Sequence, residues 1–339
     1  MNFEDNVYSV LNRLSSYVVA VSGGADSMAL LSSLYSFTEN DHCPLQDRIY
    51  VLHVEHGLRG QESKDDAQFV HSFCEERKIP CTVVTIPPGK IAAYAKREGI
   101  GIEAAARHFR RRALLREAKR LDENGAQKTF ILTAHTKDDA LELFLMRVLR
   151  GAGPQGLSFM PLKKGSFLRP LLNVSRTDVI AYLKEKNIPW REDSTNADDR
   201  FLRNKIRNRL IPLLNENFPS WKKGFLGTAQ TQSLAADFLS TETRRHIKWD
   251  ASNSSLSTGD KNFFSQPQII REESILCALA PLCGKSLKTI KRTNIRLFSS
   301  GCVNAVNLGT VKLRRNNGKI YLSPVEKELF ESGTTLLIK

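Results

Sequence analysis

The 339-residue sequence has no CxxC pair, no Cys/His spacing of the zinc type and no run of about 18 apolar residues. These absences argue against persulfide, iron–sulfur and zinc-finger chemistry, which need thiols at fixed spacings, and against a membrane-spanning helix. The six cysteines, Cys43, Cys74, Cys81, Cys277, Cys283 and Cys302, read as buried, reduced thiols. The opening stretch MNFEDNVYSVLNRL lacks the apolar centre of a signal peptide, so the expected compartment is the cytoplasm, with no membrane partner. There is no internal repeat, and no GK[ST] ending that would mark a Walker A loop.

Acidic charge is in short supply. Fifty basic side chains face 36 acidic ones, a formal net charge of +14, which suits a polyanionic partner. Residues 1–214 carry 32 basic and 26 acidic groups and the remaining 125 carry 18 and 10, so basic charge is denser toward the end of the chain. A solvated, lysine-rich surface would give the same totals, so charge alone names no ligand.

With 41% hydrophobic residues the chain can bury a large core. Apolar β-rich runs at Tyr17–Val21, Ile49–Val54, Cys81–Ile86 and Phe130–Ala134 alternate with helical stretches. That rhythm predicts an α/β domain: a parallel sheet with helices on both faces. Leu114, Ala118 and Leu121 form one apolar helical stripe, and Leu141, Phe144, Leu145 and Val148 another. The Gly/Pro-rich segment from Arg150 reads as a loop, followed by a short strand at Phe167–Leu168 and a helix from Ser175. The expected organisation is a catalytic domain over residues 1–197, an interdomain helix over 198–218, and a basic, mainly helical domain over 219–339. Within the last, Ala251–Thr258 reads as a Ser/Asn-rich loop, a basic helix is expected near Leu287–Phe298, and a hairpin turns at Asn316-Asn317-Gly318.

The sharpest local signal is Tyr17-Val-Val-Ala-Val-Ser-Gly-Gly-Ala-Asp-Ser27, a buried strand running through two glycines into a helix. Unpaired amides at such a helix start attract phosphate, and Ser22 and Ser27 add hydroxyl donors. A carboxylate at Asp26 would repel bare phosphate, and makes sense there if it holds magnesium against it. A plain capped turn is the competing reading.

The loop resembles that of the PP-loop, or N-type, ATP pyrophosphatases, whose form is SGGxDS and which cleave ATP between the α- and β-phosphates to adenylate a substrate. Four further segments resemble one family within that group, the tRNA(Ile)-lysidine synthases. His53-Val-Glu-His-Gly-Leu-Arg59 is similar to its HxDHGLR, Gly101-Ile-Glu-Ala-Ala-Ala-Arg107 to its GLExxAR, and Thr133-Ala-His-Thr-Lys-Asp-Asp-Ala-Leu-Glu142 to its TAHHxxDQxET. Arg169-Pro-Leu-Leu172 and the stretch from Pro189-Trp-Arg-Glu-Asp-Ser-Thr-Asn196 to Arg203-Asn-Lys-Ile-Arg207 follow in the family's order.

The resemblance implies a Rossmann-like adenine nucleotide alpha hydrolase fold. It also implies ATP-dependent joining of L-lysine to carbon 2 of the wobble cytidine in the CAU anticodon of isoleucine tRNA, with magnesium as the metal. It places Ser22, Gly23, Gly24, Ala25, Asp26, Ser27, Arg107 and His135 at the nucleotide, Asp26 also at the metal, and Asp26, His53, Glu55, Asp139 and Glu142 at the chemistry. Arg203, Asn204 and Arg207 would contact RNA, and a homodimer is compatible with all of this. Asp138 and Glu142, spaced i and i+4, would share one helix face and could hold an amine. Glu55 stands where the family has Asp, and Thr136, Ala140 and Leu143 where it has His, Gln and Thr. Those departures support the competing readings, another PP-loop tRNA-modifying enzyme or a catalytically weakened tRNA-binding homologue.

Overall fold

The computed structural model describes residues 2–12, 14–39, 48–58, 60–125, 127–192, 202–252, 255–283 and 290–325. Two compact units emerge: residues 1–151 with 159–227, and residues 152–158 with 228–339.

The first unit opens with α1 (Phe3–Tyr8), β1 (Ser16–Ala20), α2 (Ala25–Glu39), β2 (Ile49–Glu55), α3 (Gln61–Glu76), β3 (Cys81–Thr85), α4 (Lys90–Arg97) and α5 (Ile102–Asn124). It continues through β4 (Thr129–Leu132) and α6 (Lys137–Val148). After α7 (Pro154–Leu157), which belongs to the second unit, come β5 (Lys163–Lys164), β6 (Phe167–Leu168) and α8 (Arg176–Glu185). The strands lie in the order β3-β2-β1-β4-β6-β5, parallel except for β5.

Period-two alternation explains why both faces are covered. On β1, Tyr17 and Val19 join a core with Met28 and Leu31 of α2 and Val179 and Leu183 of α8, whereas Val18 packs on the other side with Leu114 and Ala118 of α5. The two helical stripes behave as expected except at Val148, which is exposed. The expected α/β fold with a parallel sheet is therefore the observed one. Because β1 pairs with β2 on one side and β4 on the other, the strand order reverses at β1. In open α/β sheets the crevice beyond the strand ends at such a reversal is where ligands bind.

Leu202–Asn217 forms α9 (Leu202–Lys205), a wide π turn (Ile206–Leu210) and α10 (Ile211–Asn217). Pro212 lacks the N–H that would continue the ladder, and the wide turn directly precedes it. Ile206 of this stretch is buried with Leu141 and Leu145 of α6 and Trp221, inside the first unit. Asp193, Asn196 and Phe201 lie outside the described residues.

The second unit contains most of α11 (Trp221–His246), then β7 (Asp250–Ser252), β8 (Ser255–Gly259), α12 (Asp260–Phe264), α13 (Gln268–Cys283), α14 (Arg292–Ser299), β9 (Ala305–Leu308), β10 (Val311–Asn316) and β11 (Lys319–Pro324). Helices precede the C-terminal strands, and β10 and β11 turn at Asn317 and Gly318, both at positive φ, as the Asn-Asn-Gly signal required. The expected Ser/Asn-rich loop at Ala251–Thr258 is corrected: its described residues form β7 and β8, and the terminal hairpin is part of a five-stranded antiparallel sheet, β7-β8-β11-β10-β9. Leu256 and Thr258 are buried between polar serines, so pairing with β11 overrides the loop-like composition.

Candidate active site

The turn after β1 is built by its own side chains. Ser27 Oγ donates to the Gly24 carbonyl (2.8 Å) and accepts from the Ser22 N–H (3.1 Å), which folds the loop back over the start of α2. Gly23 sits at φ +88°, a region costly for any residue with a Cβ. The loop is clamped from outside by Arg191, whose N–H donates to the Gly23 carbonyl (2.9 Å) and whose Nε reaches Asp66 Oδ1 of α3 (3.3 Å). Beneath it the buried His53 ring places Nδ1 3.0 Å from the Val21 carbonyl. Burial, opposed by that carbonyl, holds His53 below the usual imidazole range, so it braces the loop as a neutral ring.

Asp26 occupies the first turn of α2. Burial raises its carboxyl, opposed by the Arg176 guanidinium that pairs with it, and the nearby Asp139 charge raises it further. Arg176 also ties the two loops together, since its backbone N–H donates to Asp138 Oδ2 (2.7 Å) on α6. Among the described residues no group of three or more His, Cys, Asp or Glu side chains lies together to hold a metal. A single hard carboxylate beside a phosphate loop fits magnesium, which takes one or two carboxylates and completes its shell with phosphate oxygens and water.

The loop after β4 supplies the second half. Thr136 caps α6: its Oγ1 accepts from the Asp139 N–H (3.3 Å) while its own N–H donates to Asp139 Oδ2 (2.8 Å). Thr136 thus carries out local structural work, and Ala140 is buried, so neither position offers a group to substrate. Glu142, only 2% exposed, accepts from Arg203 Nε (2.7 Å) and Arg207 Nε (2.6 Å), and Arg203 also pairs with Asp139. Burial opposes the Arg203 charge, but Asp139 and Glu142 outweigh it and hold its pKa above the ordinary arginine value. Lys222 Nζ reaches Asp138 Oδ1 (3.3 Å).

His135 stands in the same loop, with Nδ1 3.0 Å from Thr133 Oγ1. Burial pushes it down to about 4; Asp139 opposes that, while Arg107, Arg169 and Arg203 reinforce it. It is neutral at pH 7. Because the unfolded value of about 6.5 lies above the folded one, the unfolded chain takes up the proton first. Its stabilising contribution, at most about 3 kcal/mol from 1.36 kcal/mol per unit, is full above pH 6.5 and is lost as pH falls toward 4. Replacing His135 by Asn should flatten that part of the pH profile, measured as the wild-type minus variant difference in melting temperature at pH 5 and 7; a pH-independent difference would reject the assignment.

The structure brings Ser22–Ser27, Asp26, His135, Asp139 and Glu142 to the strand-reversal edge, with Arg107 exposed on α5 but close enough to act on His135. Glu55 instead accepts from Thr85 Oγ1 (2.8 Å) at the end of β3. Arg203 and Arg207, expected at RNA, turn their guanidinium groups onto the carboxylates, and Asn204 lies half-buried between them in sequence. Arg176 and Lys222 are the participants that sequence reading missed: their partners are 150 and 84 residues away, and no local pattern marks them.

A PP-loop domain model matches residues 2–214. Among curated proteins the chain is 43% identical over 208 residues to the tRNA(Ile)-lysidine synthase of Treponema denticola, covering 61% of this chain and 43% of that protein. It is 36% identical over 238 residues to that of Porphyromonas gingivalis, covering 68% and 47%, and 27% identical over 277 residues to that of Bacillus subtilis, covering 80% and 56%. The chain thus spans about half the length of the curated relatives it matches. No helix among the described residues is long and apolar enough to cross a membrane.

Proposed function

Because this chain belongs to the PP-loop domain family, we propose that it uses ATP to join L-lysine to carbon 2 of the wobble cytidine in the CAU anticodon of isoleucine tRNA. The observation that carries the reading is the meeting of two loops at one sheet edge. The phosphate loop after β1 ends on Asp26, the carboxylate cluster after β4 holds Asp139 and Glu142, and Arg176 joins both.

The chemistry follows from those groups. The amides and hydroxyls of Ser22 to Ser27 hold the β- and γ-phosphates, which orients the α-phosphorus toward the cytidine carbonyl oxygen. Magnesium held by Asp26 would offset phosphate charge as pyrophosphate departs. A carbonyl oxygen is a poor leaving group until it carries AMP; once it does, an uncharged amine can displace it. Asp139 and Glu142 suit the binding of a lysine ammonium, and a carboxylate there can take the proton that must leave before attack. Neutral His135 donates or accepts a hydrogen bond near the nucleotide without adding charge. Arg107 faces phosphate or RNA from α5, and the more basic later part of the chain contacts tRNA through salt-sensitive pairs.

The decisive assay incubates the protein with ATP, labelled lysine and isoleucine tRNA bearing CAU. Lysine should enter the tRNA with one AMP and one pyrophosphate released per transfer. No label in the tRNA would overturn the assignment.

A further inference from the structure

The C-terminal sheet has two unlike faces. Leu256, Leu308, Val311, Leu313, Ile320 and Leu322 point to a core shared with α12, α13 and α14. Alternation sends the intervening residues to the opposite side. There Arg314 lies directly across from Tyr321 and Ala305, Lys312 across from Ser323 and Asn307, and Lys319 across from Asn316 and Gly259. Lys312, Arg314 and Lys319 are exposed. Among the described residues none of the three is paired with a carboxylate, and the one acid in these rows, Asp250, sits on the edge strand β7. Its neighbours are small hydroxyls and amides, and its single aromatic ring, Tyr321, carries the Arg314 guanidinium 5.4 Å from its centroid.

The adjacent Arg315 sharpens the contrast. It points to the core side, where Nε donates to Asp260 (2.8 Å) and the guanidinium lies 4.8 Å from the Phe264 ring centroid. That arginine has a structural partner; Arg314 and its two lysine neighbours have a surface. A hydrophobic partner protein would want apolar side chains in the middle of such a face, and Tyr321 is the only large one.

We infer that this outer face, Lys312, Arg314, Lys319 and Tyr321, is a second RNA contact surface that takes an unpaired stretch of the tRNA. The three cations would meet phosphates, and an unstacked base would lie on the plane offered by Tyr321 and Arg314. Duplex RNA offers no free base face, so the ring selects for a single-stranded segment. The inference rests on the proposed tRNA substrate and adds a place of contact in the second unit.

The test uses the full chain and an unmodified isoleucine tRNA transcript bearing CAU, with binding followed by fluorescence anisotropy across a potassium chloride series. Lys312→Ala with Arg314→Ala should weaken binding about tenfold and lower the slope of log affinity against log salt by about 2, one per lost phosphate contact. Tyr321→Ala should weaken binding about fivefold or more with little change in slope, and Tyr321→Phe should restore it, since stacking needs the ring and not the hydroxyl. Unchanged affinity and slope in the double variant, with wild type still transferring lysine, would overturn the surface and leave the enzyme reading intact. The expected losses in a protein that transfers no lysine would overturn the enzyme reading and leave the surface.

Discussion

Asp26→Asn is expected to reduce tRNA-dependent pyrophosphate release by about 100- to 1000-fold, the range seen when one preorganised electrostatic group is removed from a reaction centre. Asn keeps the shape and can still cap the first turn of α2, so the loss would be one of charge. The fold should not suffer. Burial already works against the Asp26 anion, and Arg176, about half exposed, keeps access to water when its partner is neutralised. The melting temperature is therefore expected to stay level or to rise slightly while activity falls. Pyrophosphate release within tenfold of wild type, from a variant that melts normally, would remove Asp26 from the chemistry.

Glu142→Gln should have the largest combined effect. Its carboxylate is nearly inaccessible and receives hydrogen bonds from both Arg203 and Arg207. Removing one partner of a buried ionic cluster leaves uncompensated charge, at a cost of about 3–5 kcal/mol. The lower end applies, because Arg203 retains Asp139 and both guanidinium groups are partly open to solvent. Adding Arg207→Gln should recover part of that loss, so the double variant would be less destabilised than the sum of the singles. Urea unfolding of the four proteins measures the coupling; strict additivity would mean the cluster does not act as a unit. If Glu142 also receives the lysine ammonium, the single variant that remains folded should lose lysine transfer more severely than pyrophosphate release. Equal losses in the two assays would place Glu142 in the scaffold alone.

The arginines show how far reading along the chain could go. Arg203 and Arg207 stand out in sequence as basic residues on an amphipathic stretch near the end of a motif series, and phosphate is the natural partner to expect. Folding puts Glu142 within reach instead, because Ile206 on the same stretch is buried against Leu141 and Leu145 of α6. Arg176 is the converse case. It follows an ordinary N-cap serine and has no distinguishing pattern, yet it links Asp26 to Asp138. Thr136 looked like a missing catalytic group, and its position as the cap of α6 gives it another task.

The sequence by itself determined what depends on near neighbours. The strand-to-helix turn at Ser22–Ser27, the period-two strands, the Asn-Asn-Gly hairpin and the capping of α6 and α8 all follow from residues a few positions apart, whose steric limits and hydrogen bonds do not need the rest of the chain. Only the tertiary structure decided which charges meet. Ion pairs such as Arg176 with Asp26 or Arg203 with Glu142 join residues far apart in sequence, and their partners are selected by sheet order and by the burial of apolar neighbours. The same holds for the outer face of the second sheet. Pairing across three strands, which no single stretch encodes, is what gathers Lys312, Arg314, Lys319 and Tyr321 on one side.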